Sequence, residues 1–412
     1  MKRPATALLL LALAELLGMS LWFSASAVSD EFRAMWSLSQ SQAGWLTTVV
    51  QLGFVVGTAT AAVLNLADLV PARTYFATAA ALGALANAAL VITPDYGLAL
   101  GLRFATGFFL AGVYPPGMKM AATWFRRGRG LAIGAVVGAL TIGKAAPYLM
   151  RAWMPGGIVP VVLSVSAGAL VASVLVITTY RDGPYAFSRR PFSWDLVGSV
   201  LRQREMRLAT GGYLGHMWEL YAFWTWIPAF LAASVAVGGQ AISETVVSLI
   251  AFLAIAVGGI GCLWGGWVAD RIGYDRLVIR AMAVSGICAL LTGVVFGSTL
   301  WLVIPLTLIW GFFVIADSAQ FSALITEVVP THAVGTALTI QTSLGFLLTM
   351  LTIQLVPTLA EVGSWRWAFA ILTFGPMVGI WSIARLTPAL QRGTVNSDQA
   401  IKTATPARGD RA

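Results

Sequence analysis

The most regular feature of the sequence is a series of long apolar stretches separated by short polar ones. Twelve stretches approach or exceed the roughly 20 residues that cross a bilayer as an α-helix. They lie near residues 5–28, 43–66, 74–92, 98–123, 131–153, 158–180, 208–235, 245–268, 277–296, 300–325, 333–356 and 367–383. Stretches such as 74–91 show no alternation of apolar and polar residues, which excludes a membrane β-barrel. The pattern predicts an all-α polytopic membrane protein with twelve transmembrane helices.

The composition and the placement of charge agree with this prediction. Hydrophobic residues make up 58% of the 412 residues and charged residues only 10%, against about 25% charged in soluble domains. If the N-terminus is cytoplasmic, only Arg33, Arg151 and Arg366 lie in loops on the opposite side, as the positive-inside rule requires. We therefore expect a multi-pass protein of the inner (cytoplasmic) membrane with both termini cytoplasmic, whose net charge of +9 reflects topology and not nucleic-acid binding.

The sequence offers little for enzymatic or cofactor chemistry. Cys262 and Cys288 lie in apolar stretches, which favours core packing over a disulfide framework or a cysteine metal site. No phosphate-binding loop is present, which excludes ATP-driven transport. No set of a nucleophile and a general base can be identified in the sequence either, so we expect neither an enzyme nor a bound metal or cofactor.

The first stretch imitates a secretory signal peptide, with a basic start and an Ala-Ser-Ala at 25–27. Glu15 interrupts its apolar run, and cleavage would leave eleven helices and destroy an internal repeat. We therefore expect an uncleaved first helix.

The chain consists of two similar halves, each with six predicted helices and matching motifs. A polar loop at 181–207 separates six predicted helices in residues 1–180 from six in 208–386, and 387–412 is expected to be a disordered cytoplasmic tail. Asp68 with Arg73 follows the second stretch, and Asp270 with Arg271 and Arg276 follows the eighth, 202 residues later between the aspartates. A Gly-Phe-Phe run at 107–109 recurs at 311–313. Two parallel repeats with a substrate site between them are one plan of secondary transporters.

These repeats carry a family resemblance over nearly the whole chain. The run GWVADRIG at 266–273 resembles the loop signature of the major facilitator superfamily. The residues at 103–107, with YPPG at 114–117 and WFRRGRG at 124–130, resemble the anion-porter branches of that superfamily, which include nitrate/nitrite and organic-anion porters. The second stretch carries Gln51 but no arginine, and the Gly-Asn-Gly-Gly run of nitrate porters is absent. The resemblance implies secondary transport without naming the substrate.

Ionisable residues within the stretches are the main candidates for function, because each costs about 2.5–3.5 kcal/mol at a helix centre. Glu15 and His216 are 201 residues apart, so they are expected at similar depth in equivalent helices. Glu219 follows His216 by three residues and shares its helix face. We expect these three residues to couple transport to protons; the alternative for His216 is a structural hydrogen bond.

Two cations on neighbouring helices are candidates for anion binding. The planar guanidinium of Arg103 can bind two oxygens at once, and the ammonium of Lys144 is a compact positive charge. Tyr114 and Tyr148 lie near them on the same helix faces. A structural ion pair of either cation with Glu15 or another acid is equally compatible with the sequence. Lys119 lies on a different face from Arg103 and is expected to form a structural pair with Asp317.

Asp68, Arg73, Asp270, Arg271 and Arg276 are expected to form cytoplasmic gates, because they place charges in tight loops beside helix ends.

The leading hypothesis is a proton-coupled carrier of a small anionic metabolite or inorganic anion, acting as a monomer in the lipid bilayer. Proton-driven efflux of drugs or metabolites is the first alternative, since the helix around 208–235 is rich in aromatic residues. A transporter-like scaffold or sensor is the second.

Overall fold

The computed structural model describes residues 3–125, 129–154, 156–185, 193–330 and 332–404. For residues 67, 68, 129, 130 and 392–404 it describes the backbone alone. Helices α1–α6 form the first half of the chain and α7–α12 the second. Their bounds are α1 Pro4–Met19, α2 Gln40–Val63, α3 Ala72–Ala88, α4 Tyr96–Leu110 continued by Tyr114–Ala122, α5 Arg129–Trp153, α6 Ile158–Thr179, α7 Arg204–Val237, α8 Glu244–Ile272, α9 Tyr274–Val295, α10 Leu300–Ala316 continued by Ser318–Val328, α11 Val334–Val362, and α12 Phe374–Ala404 preceded by Trp365–Ala368 and a 3₁₀ segment Phe369–Thr373. We call the side that carries Pro4 and the end of α12 the terminus side, and the opposite side the far side.

Eleven of these helical segments are long and apolar enough to cross a membrane. The exception is α1, which is 16 residues long and so spans about 24 Å. Turns and a short 3₁₀ helix, Ser26–Val28, continue it towards the far side. The first of the twelve predicted stretches is therefore helical only as far as Met19, and the following segment supplies the rest of the crossing.

Two predicted boundaries need correction. The loop at 181–207 contains a helix, Trp194–Arg202, and α7 begins within it at Arg204. The final helix runs to Ala404, beyond the predicted end of the second half at residue 386. Residues 405–412 lie outside the described part of the chain.

The repeated Gly-Phe-Phe run marks equivalent helix crossings in the two halves. A Cβ atom on Gly107 would lie 2.1 Å from the carbonyl oxygen of Val50, where α4 crosses α2. A Cβ on Gly311 would lie 1.6 Å from the carbonyl oxygen of Ala254, where α10 crosses α8. Small residues allow this close backbone approach in membrane helices. The repeated run therefore marks the same close helix crossing in each half.

The two halves meet along two long helix contacts, α5 with α8 and α2 with α11. Gly138 and Gly259 face each other in the first contact, with a Cβ on either residue falling within 2.9 Å of the other's carbonyl oxygen. Aromatic side chains of the segment after α1 and of α7 complete the interface between the halves.

We predict that Gly107→Ala lowers the melting temperature in detergent, because the new methyl group must push α2 and α4 apart; overpacking of this kind costs about 1–3 kcal/mol. Gly101→Ala on the same helix is the matched control, since a Cβ there meets nothing within 4 Å. Equal melting temperatures for the two variants would contradict the assigned crossing.

Candidate functional site

Lys144 of α5 lies at the centre of the interface between the halves, only 3% exposed. Its ammonium nitrogen is 4.3 Å from the ring centroid of Trp22, 4.7 Å from that of Tyr221 and 5.1 Å from that of Trp224. It also donates a hydrogen bond to the Tyr221 hydroxyl. Trp22 follows α1, whereas Tyr221 and Trp224 belong to α7. A cation–π cage built by both halves therefore surrounds this lysine.

Several hydrogen-bonding groups of this region have no partner among the described residues. The indole nitrogens of Trp22 and Trp224 are buried without an acceptor, and the amide of Gln51 on α2 is buried without any hydrogen bond. A buried polar group without a partner costs roughly 1–3 kcal/mol. Because an indole can only donate, the cage is a region of unused donors around a cation.

Glu15 is the nearest acid to this cage. Gly143 brings α1 against α5, since a Cβ on Gly143 would lie 2.2 Å from the carbonyl oxygen of Leu16. Glu15 precedes Leu16 and Lys144 follows Gly143, which places the two charges within electrostatic range of each other. They form no ion pair within 4 Å in the described structure, and neither carboxylate oxygen of Glu15 has a hydrogen-bond partner there. Gly117 on α4 makes room for this carboxylate, because its Cβ would lie 1.7 Å from Oε1.

Arg103 has a different role from the predicted anion contact. Its Nε donates to the carbonyl of Leu46 at 3.1 Å, and its terminal nitrogens donate to the carbonyls of Leu21 and Trp22 and to the side chains of Ser24 and Asn87. These five contacts engage all three guanidinium nitrogens, with one acceptor at Nε, three around Nη1 and one at Nη2. The carbonyls of Leu21 and Trp22 are available because α1 ends at Met19. Arg103 therefore stabilises the break in the first membrane crossing, and we leave it out of the proposed binding site.

The two tyrosines predicted beside the cations lie in different surroundings. Tyr114 is half-buried at the start of the second part of α4 and stacks on Phe54 of α2, with ring centroids 6.5 Å apart. Tyr148 is fully buried and donates to the carbonyl of Trp224 at 3.3 Å. Tyr148 thus connects the two halves beside the cage.

The polar groups of α7 pair with partners that the sequence analysis did not assign. His216 Nδ1 lies 2.9 Å from Asp317 Oδ1 with both side chains buried, and Asp317 Oδ1 and His216 Nε2 have no hydrogen-bond partner among the described residues. Glu219 does not orient His216, because its two oxygens accept from Trp310 Nε1 at 2.5 Å and Ser285 Oγ at 2.9 Å. Asp317 stands at the break in α10, where its Oδ1 lies against His216; its expected pair with Lys119 stays a prediction.

The predicted gate residues are exposed where the structure describes their side chains. Arg73, Asp270, Arg271 and Arg276 are all exposed on the terminus side. Arg271 stacks on Trp267, 3.4 Å from its ring centroid, and donates to its carbonyl. The side chain of Asp68 lies outside the described part. None of the described gate residues forms an ion pair with another.

The far side carries contacts between the halves that sequence reasoning missed. Arg151 at the end of α5 forms ion pairs with Glu31 in the first half and, at 3.0 Å, with Glu244 at the start of α8. Burial raises the pKa of the Glu31 carboxyl, and Arg151 opposes this effect. Gln354 of α11 contacts Ser41 and Thr48 at 2.8 Å each. Arg151 and Glu244 are far apart in the sequence. The one signal in the sequence was that Arg151 is among the few basic residues on the side opposite the N-terminus.

The structure shows no group of three or more His, Cys, Asp or Glu residues able to hold a metal ion among the residues that it describes. Cys262 and Cys288 are buried and unbonded to each other.

Comparison with known proteins places this geometry in context. A sequence model of the Major Facilitator Superfamily matches residues 7–239 and again 209–409. The chain is 25% identical over 308 residues to the niacin transporter NiaP of Acinetobacter baylyi, covering 65% of this chain and 68% of that protein. A solved structure of a mutant of the nucleoside transporter NupG has a TM-score of 0.69 at 12% identity, covering 92% of this chain and 99% of that one. A bacterial homologue of the human lysosomal transporter Spinster has a TM-score of 0.66 at 14% identity, covering 98% and 99%.

We predict that Arg103→Lys reduces stability more than it reduces substrate affinity. A lysine retains the charge but has three donors, so it leaves buried carbonyls of the broken first crossing without partners, at roughly 1–3 kcal/mol each. Thermal unfolding of the purified protein measures the loss. Weakened substrate binding at an unchanged melting temperature would restore the anion-contact interpretation.

Proposed function

Because the chain belongs to the major facilitator superfamily and is a secondary transporter, we propose that it carries a small anion together with a proton across the cytoplasmic membrane. The observation that supports the anion most strongly is Lys144, a cation buried between the halves with no acid within ion-pair distance among the described residues. An unpaired charge at membrane depth is costly. A bound anion would compensate it, and the unused donors around it fit an anion rather than a cation.

The name of one relative supports the same class. NiaP carries niacin by name, and niacin is an aromatic acid that is an anion at neutral pH. The cage also argues against the efflux of cationic drugs, because its aromatic faces already hold the ammonium of Lys144. A cationic substrate there would meet a like charge in a region of low dielectric.

The proximity of Lys144 and Glu15 supports coupling to protons. Without substrate, Glu15 is the acid that lies closest to the ammonium of Lys144 and can compensate its charge. An anion bound to Lys144 cancels that effect, so Glu15 takes up a proton when the substrate binds. By linkage, protonation of Glu15 strengthens anion binding in return. Among the titratable groups on the helices packed against α1, Lys144 and Tyr114 interact with Glu15, and α6 contributes none.

His216 and Asp317 form a second buried pair in the second half, on α7 and α10. An imidazole that faces a carboxylate can hold a proton beside it in one facing state and release it in the other. We propose this pair, with Glu219 behind it, as a proton path separate from the anion cage.

Alternating access follows from the placement of contacts. Besides the hydrogen bonds at the cage, the described structure has polar contacts between the halves on the far side, at Arg151 with Glu244 and at Gln354 with Thr48. The terminus side is cytoplasmic by the distribution of basic residues. We propose that the described conformation is closed towards the periplasm, and that Asp270 and its neighbours form gate contacts when the cytoplasmic side closes.

We predict that Lys144→Gln abolishes uptake of nicotinate and benzoate into proteoliposomes under an imposed pH gradient. Glu15→Gln should retain counterflow of the same anions but lose accumulation driven by the gradient, because it cannot release a proton. Arg280→Gln, which removes an exposed cation, is the matched control and should behave as the parent. The anion proposal fails if the Lys144 variant transports normally, and the coupling proposal fails if the Glu15 variant still accumulates substrate.

A further inference from the structure

The unused donors of the cage point to a more specific ligand than an anion in general. Trp22 Nε1 and Trp224 Nε1 are buried without an acceptor among the described residues, although both side chains are at most 1% exposed. Buried indole N–H groups normally find a hydrogen-bond partner. Their rings lie 4.3 and 5.1 Å from Lys144 Nζ, so both donors belong to the surroundings of one cation. The Tyr221 hydroxyl accepts from Lys144 and keeps its own proton to donate.

The walls of this region are aromatic. Phe346 of α11 lies 5.7 Å from Trp22, 5.3 Å from Tyr221 and 4.6 Å from Phe54 between ring centroids. Trp22 and Phe54 are 5.1 Å apart. Sites for small molecules are mostly apolar, with a few polar groups that fix orientation. Aromatic rings next to unused donors match a ligand with a flat apolar body and one charged end.

We propose that the cage binds the carboxylate of a planar aromatic monocarboxylate, with Lys144 supplying the charge and the indole N–H groups of Trp22 and Trp224 donating to its oxygens. The aromatic body lies against Phe54 and Phe346. This proposal rests on the proposed function and deepens it, because it names the substrate class and two specificity residues. Hydrogen bonds from fixed donors to a carboxylate are short and directional, whereas an amide of the same shape lacks the charge that Lys144 requires.

Isothermal titration of the purified protein in detergent tests the substrate class. Benzoate and nicotinate should bind, while benzamide, nicotinamide, acetate and nitrate should bind at least about ten-fold more weakly. If acetate or nitrate binds as tightly as benzoate, the aromatic class is wrong but the anion carrier stands. If none of these anions binds, the proposed function fails with it.

Substitutions that remove only the N–H group test the two residues. Trp22→Phe and Trp224→Phe keep an aromatic ring and should each weaken benzoate binding by about ten-fold, with Trp301→Phe, an 88% exposed position, as the matched control. Unchanged benzoate affinity in both variants would overturn the assignment.

NMR of the tryptophan indole N–H groups tests the same contacts in the parent protein, so the result does not depend on the affinity of a destabilised variant. In the parent protein labelled with ¹⁵N at tryptophan, the Nε1–H signals that disappear in the two variants should move downfield with benzoate and not with benzamide. Signals that stay in place while benzoate binds would also overturn the proposal.

Discussion

The hydrogen bonds of Arg103 determine the geometry on which the rest of the site depends. Where α1 ends at Met19, the next carbonyls would lie in the membrane without partners, and a guanidinium on α4 satisfies them. Backbone groups in a bilayer must be satisfied within the protein. Because the crossing is broken at this point and held there, Trp22 lies above Lys144 instead of following the helical turn. Arg103, which the sequence suggested as a substrate contact, therefore holds the segment that carries Trp22 of the cage.

The buried charges divide into two groups with different chemistry. In the first half, Glu15 and Lys144 are close without being paired, and the groups around them are donors without acceptors. In the second half, Glu219 accepts from two donors and His216 lies against Asp317, although His216 Nε2 and Asp317 Oδ1 have no hydrogen bond among the described residues. A paired buried charge is stable in one conformation, whereas an unpaired one requires a ligand or a proton. The first group is consequently the better candidate for binding, and the second for holding protons between conformations.

The sequence predicted the architecture more fully than the site. The apolar stretches gave the membrane crossings, and the two Gly-Phe-Phe runs marked crossings that the structure contains. It could not reveal the role of Arg103, because the acceptors are backbone carbonyls whose release depends on where a helix ends. It also missed the partner of His216, since the break in α10 at Asp317 changes the direction of that carboxylate. The aromatic run of α7 was visible, but its grouping around Lys144 needs the packing of both halves.

The most direct measurement is proton uptake during substrate binding by the purified protein in weakly buffered solution, followed with a pH indicator. If Lys144 and Glu15 are linked as described, benzoate should bind with the uptake of about one proton, and Glu15→Gln should bind it with no uptake. Benzoate binding without proton uptake in the parent protein would contradict the account.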